Sequence, residues 1–443
     1  MLTLSDAQEA VLQGSDYQVI GRLKVANADG TMIDYSDWLI EASGTDDIDA
    51  SCERATFTLA REDGDSGLLS LSPLMDGSTL NVDDSGVTAP ALNLVRAVTF
   101  ETAQIPLGAE PTDDDYVEVF RGVVDRIEFA DNVVLTCRDQ GGILEDWAIE
   151  AEREYEAGTA LADLLQAILT DNVTGVTLTV EDDEGAGLEE KYVQSRGKVL
   201  PVLSDLAGKA GQRVRYRYNS SGVSVLTLFT PERDSPTATW TLGPDDYAAV
   251  RRLDIEIYDV RTKCVVYYTD ASTGTRASVT SEAPSTLTDE FGAYRAIIIE
   301  EPSDSMIQTE TQAQAFADSV RKDLQEPFAN QEVETYWSPH IQLWDYLEFS
   351  ANNVHYDSTQ NGAVVARRWV YSRDRHRHWF LTRGKPAGAY KRHLLREFGG
   401  APADPPVVEP RPSQSGSTGT LTLAIDDPSS RVEEVWFKSV ATP

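Results

Sequence analysis

The sequence predicts a mainly β protein in which two barrel-like β regions flank a small α+β region. Three observations predict it. Short runs rich in β-branched and aromatic residues alternate apolar with polar side chains and are separated by Gly/Asp turns. Between Gly158 and Trp240 the apolar residues fall instead at helical spacing. From Arg251 the strand texture returns, interrupted by one amphipathic helix.

Residues 1–16 read as an N-terminal arm, and 17–145 as the first β region. There Val19, Gly21, Leu23 and Val25 alternate with Gln18, Ile20, Arg22 and Lys24, and Asn27–Gly30 is a turn signal. Ala55–Ala60, Leu94–Glu101, Val117–Val124 and Asn132–Cys137 are the next strands. In the α+β region, 146–240, Leu161, Leu164, Leu165, Ile168 and Leu169 share a helical face behind Thr159 as N-cap. A second helix has Pro201 near its start, buries Leu203, Leu206, Ala207 and Ala210, and stops at Gly211. Arg213–Tyr218 then has a period of two, with Arg213, Arg215 and Arg217 on one face and Val214, Tyr216 and Tyr218 on the other.

The second β region is 241–400. Its helix carries Ala313, Phe316, Ala317, Val320 and Leu324 as a stripe, with Thr309 and Gln312 spaced for a capping box. Residues 401–417 hold five of the 20 prolines and read as an extended linker. Thr418–Ile425 and Val432–Phe437 are strand candidates in the remaining 418–443. Two strands are not a stable domain, so a longer chain or a neighbour is expected to complete them.

Composition narrows the function. With 41% hydrophobic and 25% charged residues, the 443-residue chain is neither fibrous nor wholly disordered. Acids outnumber bases 73 to 38, a net charge of −35 that repels nucleic acid and anionic membrane unless positive charge is concentrated somewhere. Cys52, Cys137 and Cys264 lack CxxC spacing, so they read as small buried hydrophobes rather than a disulfide or zinc framework. Met1–Gly14 carries Asp6 and Glu9 without a basic stretch, so no signal peptide is expected, and no 18-residue apolar run would insert in a membrane.

No GxSxG, HExxH, GxxxxGK[ST] or GxGxxG occurs, and no catalytic, cofactor or metal residue is predicted. His376 and His378 share a strand face, but only His393 offers itself as a third ligand, with no spaced Cys or carboxylate beside it. The acidic stretch Asp63–Gly67 lacks the spaced Glu of a calcium loop. The compositional anomaly is Arg367–Arg396, which carries +9 against −44 for the other 413 residues and interleaves Trp369, Tyr371, Trp379, Phe380 and Tyr390. Basic residues among aromatics suit an acidic partner surface, so Arg367, Arg368, Arg373, Arg375, Arg377, Arg383, Lys391 and Arg392 are the candidate interface. Pairing with the chain's own carboxylates is the competing reading.

The order of five segments resembles the baseplate-hub family of tailed-phage tail tips, also found in contractile injection systems. The segments are Leu69–Met75; Val119–Arg126 with Val134–Asp139; Leu226–Arg233; Tyr258–Thr262 leading into Val265–Tyr268; and Thr382–Pro386. The resemblance spans roughly 17–396. It implies two β-barrel-like hub domains per chain and a homotrimer forming a ring with near six-fold geometry. It also implies a virion location, contacts with the distal tail protein ring, the tape-measure protein and further tail-tip or fibre proteins, and DNA only in transit. The final strands then read as the start of a fibronectin-like module. The alternatives are a receptor- or carbohydrate-binding tail protein and a cell-wall or polysaccharide hydrolase.

Overall fold

The computed structural model describes residues 17–383, apart from 69–95, 286–294 and several shorter loop stretches, together with strands at 410–413 and 420–423. The N-terminal arm, Leu69–Met75, Val432–Phe437 and all of 384–400 lie outside the described residues.

The first β region contributes β1 (Tyr17–Ala26), β2 (Met32–Asp34), β3 (Leu39–Asp47), β4 (Arg54–Ala60), β5 (Ala97–Pro106), β6 (Tyr116–Phe129) and β7 (Asn132–Asp139). Helix α1 (Gln140–Asp146) follows directly, started by the Asp139 carboxylate, which accepts the Gly142 N–H. The middle region holds α2 (Leu161–Asn172), β8 (Leu178–Val180), α3 (Val199–Lys209), β9 (Arg213–Tyr218) and β10 (Ser224–Phe229). Both predicted helices bury the expected leucine faces. Thr159 is not the cap of α2: Ala160 is, and the Thr159 hydroxyl donates to the Glu156 carbonyl, closing the preceding turn instead. Gly211 takes φ +78° just past α3, where a side chain would be strained.

The last region supplies β11 (Trp240–Leu242), β12 (Tyr247–Glu256), β13 (Lys263–Thr269), β14 (Arg276–Glu282), β15 (Ala296–Glu300), α4 (Glu310–Leu324), β16 (Phe328–Thr335), β17 (Tyr346–Asn353), β18 (Tyr356–Ser372) and β19 (His376–Arg383). The α4 cap is half a capping box. Thr309 Oγ1 accepts the Gln312 N–H, but the Gln312 carboxamide reaches back to the N–H of Gln308.

Strands of the first and last regions share one 13-stranded sheet, ordered β12-β16-β19-β18-β3-β4-β7-β6-β5-β1-β2, with β11 and β17 branching from β18. Strand β18 is the join. Its first part pairs with β17, its last part pairs with β3, and β19 runs along its other edge. Among the described residues neither half closes as a hydrogen-bonded barrel; side chains do the closing. In the first half the Tyr371 hydroxyl accepts the N–H of Gly21 across 2.6 Å, bridging β18 to β1. Trp337 donates to Thr102 Oγ1, and its carbonyl accepts from Gln104, both on β5. In the second half Tyr247 of β12 packs edge-on against Phe349 of β17.

Each half has its own core, one around Phe57, Phe100, Phe120 and Trp369, the other around Phe229, Leu347, Phe349 and Phe380. Smaller three-stranded sheets, β8-β10-β9 and β14-β13-β15, complete the middle region and the base under α4. The three cysteines are buried, and among the described residues none forms a disulfide. Residues 391–443 form a separate unit, in which strands β20 (Pro410–Ser413) and β21 (Thr420–Leu423) pair antiparallel. The expected linker therefore contains one strand.

Candidate functional site

Alternation along β18 sends neighbouring arginines to opposite faces. Arg367, Trp369 and Tyr371 point inward; Arg368 and Val370 point outward. Arg367 is 4% exposed, so this member of the predicted interface is interior. Its guanidinium donates to Glu53 at 2.7 Å and lies 3.7 Å from Asp46. Trp369 Nε1 donates to the other Glu53 oxygen at 3.0 Å. The chain's own carboxylates have claimed this arginine.

The same carboxylates anchor the middle region. Arg215 of β9 ion-pairs with Asp46 and donates to the carbonyls of Asp47 and Ala50. Arg217 reaches Glu181 at 3.0 Å and Asp345 at 3.4 Å, with its guanidinium 4.4 Å from the Phe229 ring. The Gln342 carboxamide bonds both backbone groups of Tyr218. Asp139 accepts the Glu53 N–H at 3.0 Å. The arginine face of β9 is thus the surface by which the middle region docks onto both halves of the sheet. These groups, among them Asp46, Glu53, Asp139, Arg215, Arg217 and Arg367, line a small cleft that is partly open to solvent.

Desolvation dominates the acidities there. It pushes Glu53 up to about 7, with Asp46 adding to the shift and Arg367 opposing it. It pushes Asp139 up to about 6, again reinforced by Asp46 and opposed by Arg215. For Arg367 burial works against the charge, but Glu53 and Asp46 outweigh it and hold the pKa above its ordinary value.

The outward face is different. Arg368 and Arg375 both sit over the Trp379 ring, at 5.3 and 5.7 Å, and Arg377 sits 4.9 Å over Tyr336. Arg377 also lies 3.6 Å from Glu334. Arg368, Arg373 and Arg375 are exposed, and among the described residues they have no carboxylate partner, in a chain with 73 acidic side chains. The side chains of Arg383, Lys391 and Arg392 lie outside the described residues.

His376 and His378 do face the same side of β19, turned inward against Trp337. Among the described residues no three His, Cys, Asp or Glu side chains group as metal ligands. No described helix is long and apolar enough to cross a membrane. Sequence reasoning singled out the β9 arginines but missed their partners Asp46, Glu53 and Asp139.

No family model and no curated protein matches the chain. Solved structures do. A tail protein from Neisseria meningitidis MC58 superimposes with a TM-score of 0.53 at 13% identity, covering 83% of this chain and 96% of that one. The 43 kDa tail protein of prophage MuSo2 from Shewanella oneidensis gives 0.52 at 14% identity, covering 82% and 97%. The chain has the fold of these tail proteins. Both matches run nearly the full length of the other chain.

Proposed function

We propose that the chain is a structural hub of a phage tail tip or baseplate, working by assembly rather than by bond-making. In this reading three copies form a ring that joins the tail tube and the distal tail ring to tip and fibre structures. The tape-measure protein is a neighbour, and DNA passes through without a stable contact. The observation that carries the reading is the tail-protein fold, shared over 83% of this chain. The acid excess supports it, because a negative wall repels phosphates and lets a genome slide past. The outward arginines, Arg368, Arg373, Arg375 and Arg377, serve as a contact with a neighbouring subunit, and Arg383, Lys391 and Arg392 continue that basic run along the sequence.

Light scattering at low and high salt tests the reading. The expected mass is near three times 48.7 kDa, falling as salt screens the exposed charges. A monomer under both conditions, and again on mixing with tail-tube or distal-ring protein, overturns it. In an oligomer that persists, reversal of Arg368, Arg373 and Arg375 to Glu should weaken assembly. Unchanged assembly removes that face from the interface while leaving the hub reading in place.

A further inference from the structure

Three of the chain's five histidines, His340, His376 and His378, gather around the segment that closes the first half of the sheet. We propose that this closure is an acid-released latch, in which protonation of His378 and His340 frees the Trp337 segment from β19 and opens the β1–β5 edge.

Just past the β16–β19 ladder the segment is tied to β19 by the His378 N–H, which donates to the Tyr336 carbonyl at 3.2 Å, and by the His378 ring. No strand ladder joins β5 to β19 among the described residues. Trp337 fills the gap, donating to Thr102 on β5 while its ring packs 4.4 Å from His378 on β19. His378 Nδ1 accepts the N–H of Ser338 at 3.1 Å, so its proton sits on Nε2. Among the described residues that Nε2 has no hydrogen-bond partner, and neither does Nδ1 of His340, which packs edge-on to Trp240 at 4.5 Å. An imidazolium has no lone pair. Protonating His378 therefore turns its bond to Ser338 into two opposed donors.

The surrounding charge offers an imidazolium no relief. On β18 the facing groups are Arg367 and Tyr371; on β19 they are His376 and Arg377; on β1, Tyr17; beside Trp337, Tyr336 and His340. Glu53 is already engaged by Arg367, and Glu334 lies 3.6 Å from Arg377. Burial lowers His340 to about 4, and burial with Arg367 holds His378 well below its ordinary value. Both stay neutral in the closed form and titrate normally once opened. Each then makes opening about tenfold more favourable at pH 5.5 than at pH 7.5. Glu53 and Asp139 titrate with the opposite sign, but they belong to the junction across β18 and remain buried when this seam opens.

Hydrogen exchange on the full chain, corrected for intrinsic rates, tests the latch. The amides of Gly21 and Ser338, whose acceptors lie across this seam, should lose about a hundredfold in protection between pH 7.5 and 5.5, while α2 loses far less. His340→Gln and His378→Gln should each remove about tenfold of that loss. Gln can still accept the Ser338 N–H, but if His378→Gln fails to fold, His340→Gln and the wild-type profile decide. Equal protection at both pH values, an equal loss in α2, or variants that keep the wild-type loss would overturn the proposal.

Discussion

Tyr371→Phe isolates the bond that closes the first half of the sheet. The ring stays, with its packing against Phe100 at 5.5 Å and Trp337 at 6.0 Å. Only the oxygen that accepts the Gly21 N–H is lost. The bond is buried, and the ring packs so tightly that a Cβ on Gly21 would come within 2.6 Å of it. A buried N–H left without an acceptor costs about 1–3 kcal/mol. Urea unfolding should report that loss, and exchange of the Gly21 amide should accelerate about 5- to 150-fold, the same energy read locally. A variant indistinguishable from wild type in both assays would mean that the β1 edge is held by packing alone, and the closure argument would fail.

Gly44→Ala should cost about 3 kcal/mol, because the new Cβ would lie 2.3–2.5 Å from the Trp369 indole, which Phe100 and Glu53 hold in place. Trp369→Leu in the Gly44→Ala background should cost less than in wild type, as a thermodynamic cycle in urea would show. Glu53→Gln should flatten the pH dependence of stability. The folded pKa of about 7 stands above the ordinary 4.5, so this carboxyl's contribution is fully present below pH 4.5 and is lost as pH rises towards 7. Unfolding titrations that keep the wild-type slope across that window would contradict the assignment. Arg215→Met leaves Asp46 and two carbonyls without their donor, a loss of about 3 kcal/mol that limited proteolysis should register first at 213–229.

The strand and helix periods were legible because burial alternates along each element. Both middle-region helices lie on the leucine faces that predicted them. The pairing of β18 with β3 was not legible, since it joins residues more than 300 positions apart and nothing local specifies a partner. Helix α1 was hidden by Gly141 and Gly142, poor helix formers that the Asp139 cap and burial override. The buried charge junction left one faint mark. Asp46 continues the inward series Ala42 and Gly44, a carboxylate in core register. Arg367 carried the same mark, two residues before Trp369 and four before Tyr371, yet the run of basic residues around it read as a single surface.

That register makes adjacent arginines separable by experiment. Arg367 uses several guanidinium nitrogens at once, bonding Glu53 and approaching the Ile341 carbonyl and Asp46. A lysine ammonium cannot span those acceptors, so Arg367→Lys should lower stability by about 1–3 kcal/mol and leave any assembly of the folded chain intact. The Arg368 guanidinium is exposed over the Trp379 face, so Arg368→Glu should cost at most about 1 kcal/mol in the free chain. Its effect should appear in the mass of the assembly. The two variants should therefore change different observables, unfolding free energy for one and light-scattering mass for the other. If both changed both, inward and outward faces of β18 would be one coupled device. If Arg368→Glu changed neither, Arg368 would have no role in contact between copies, and the interface would have to rest on the other outward arginines.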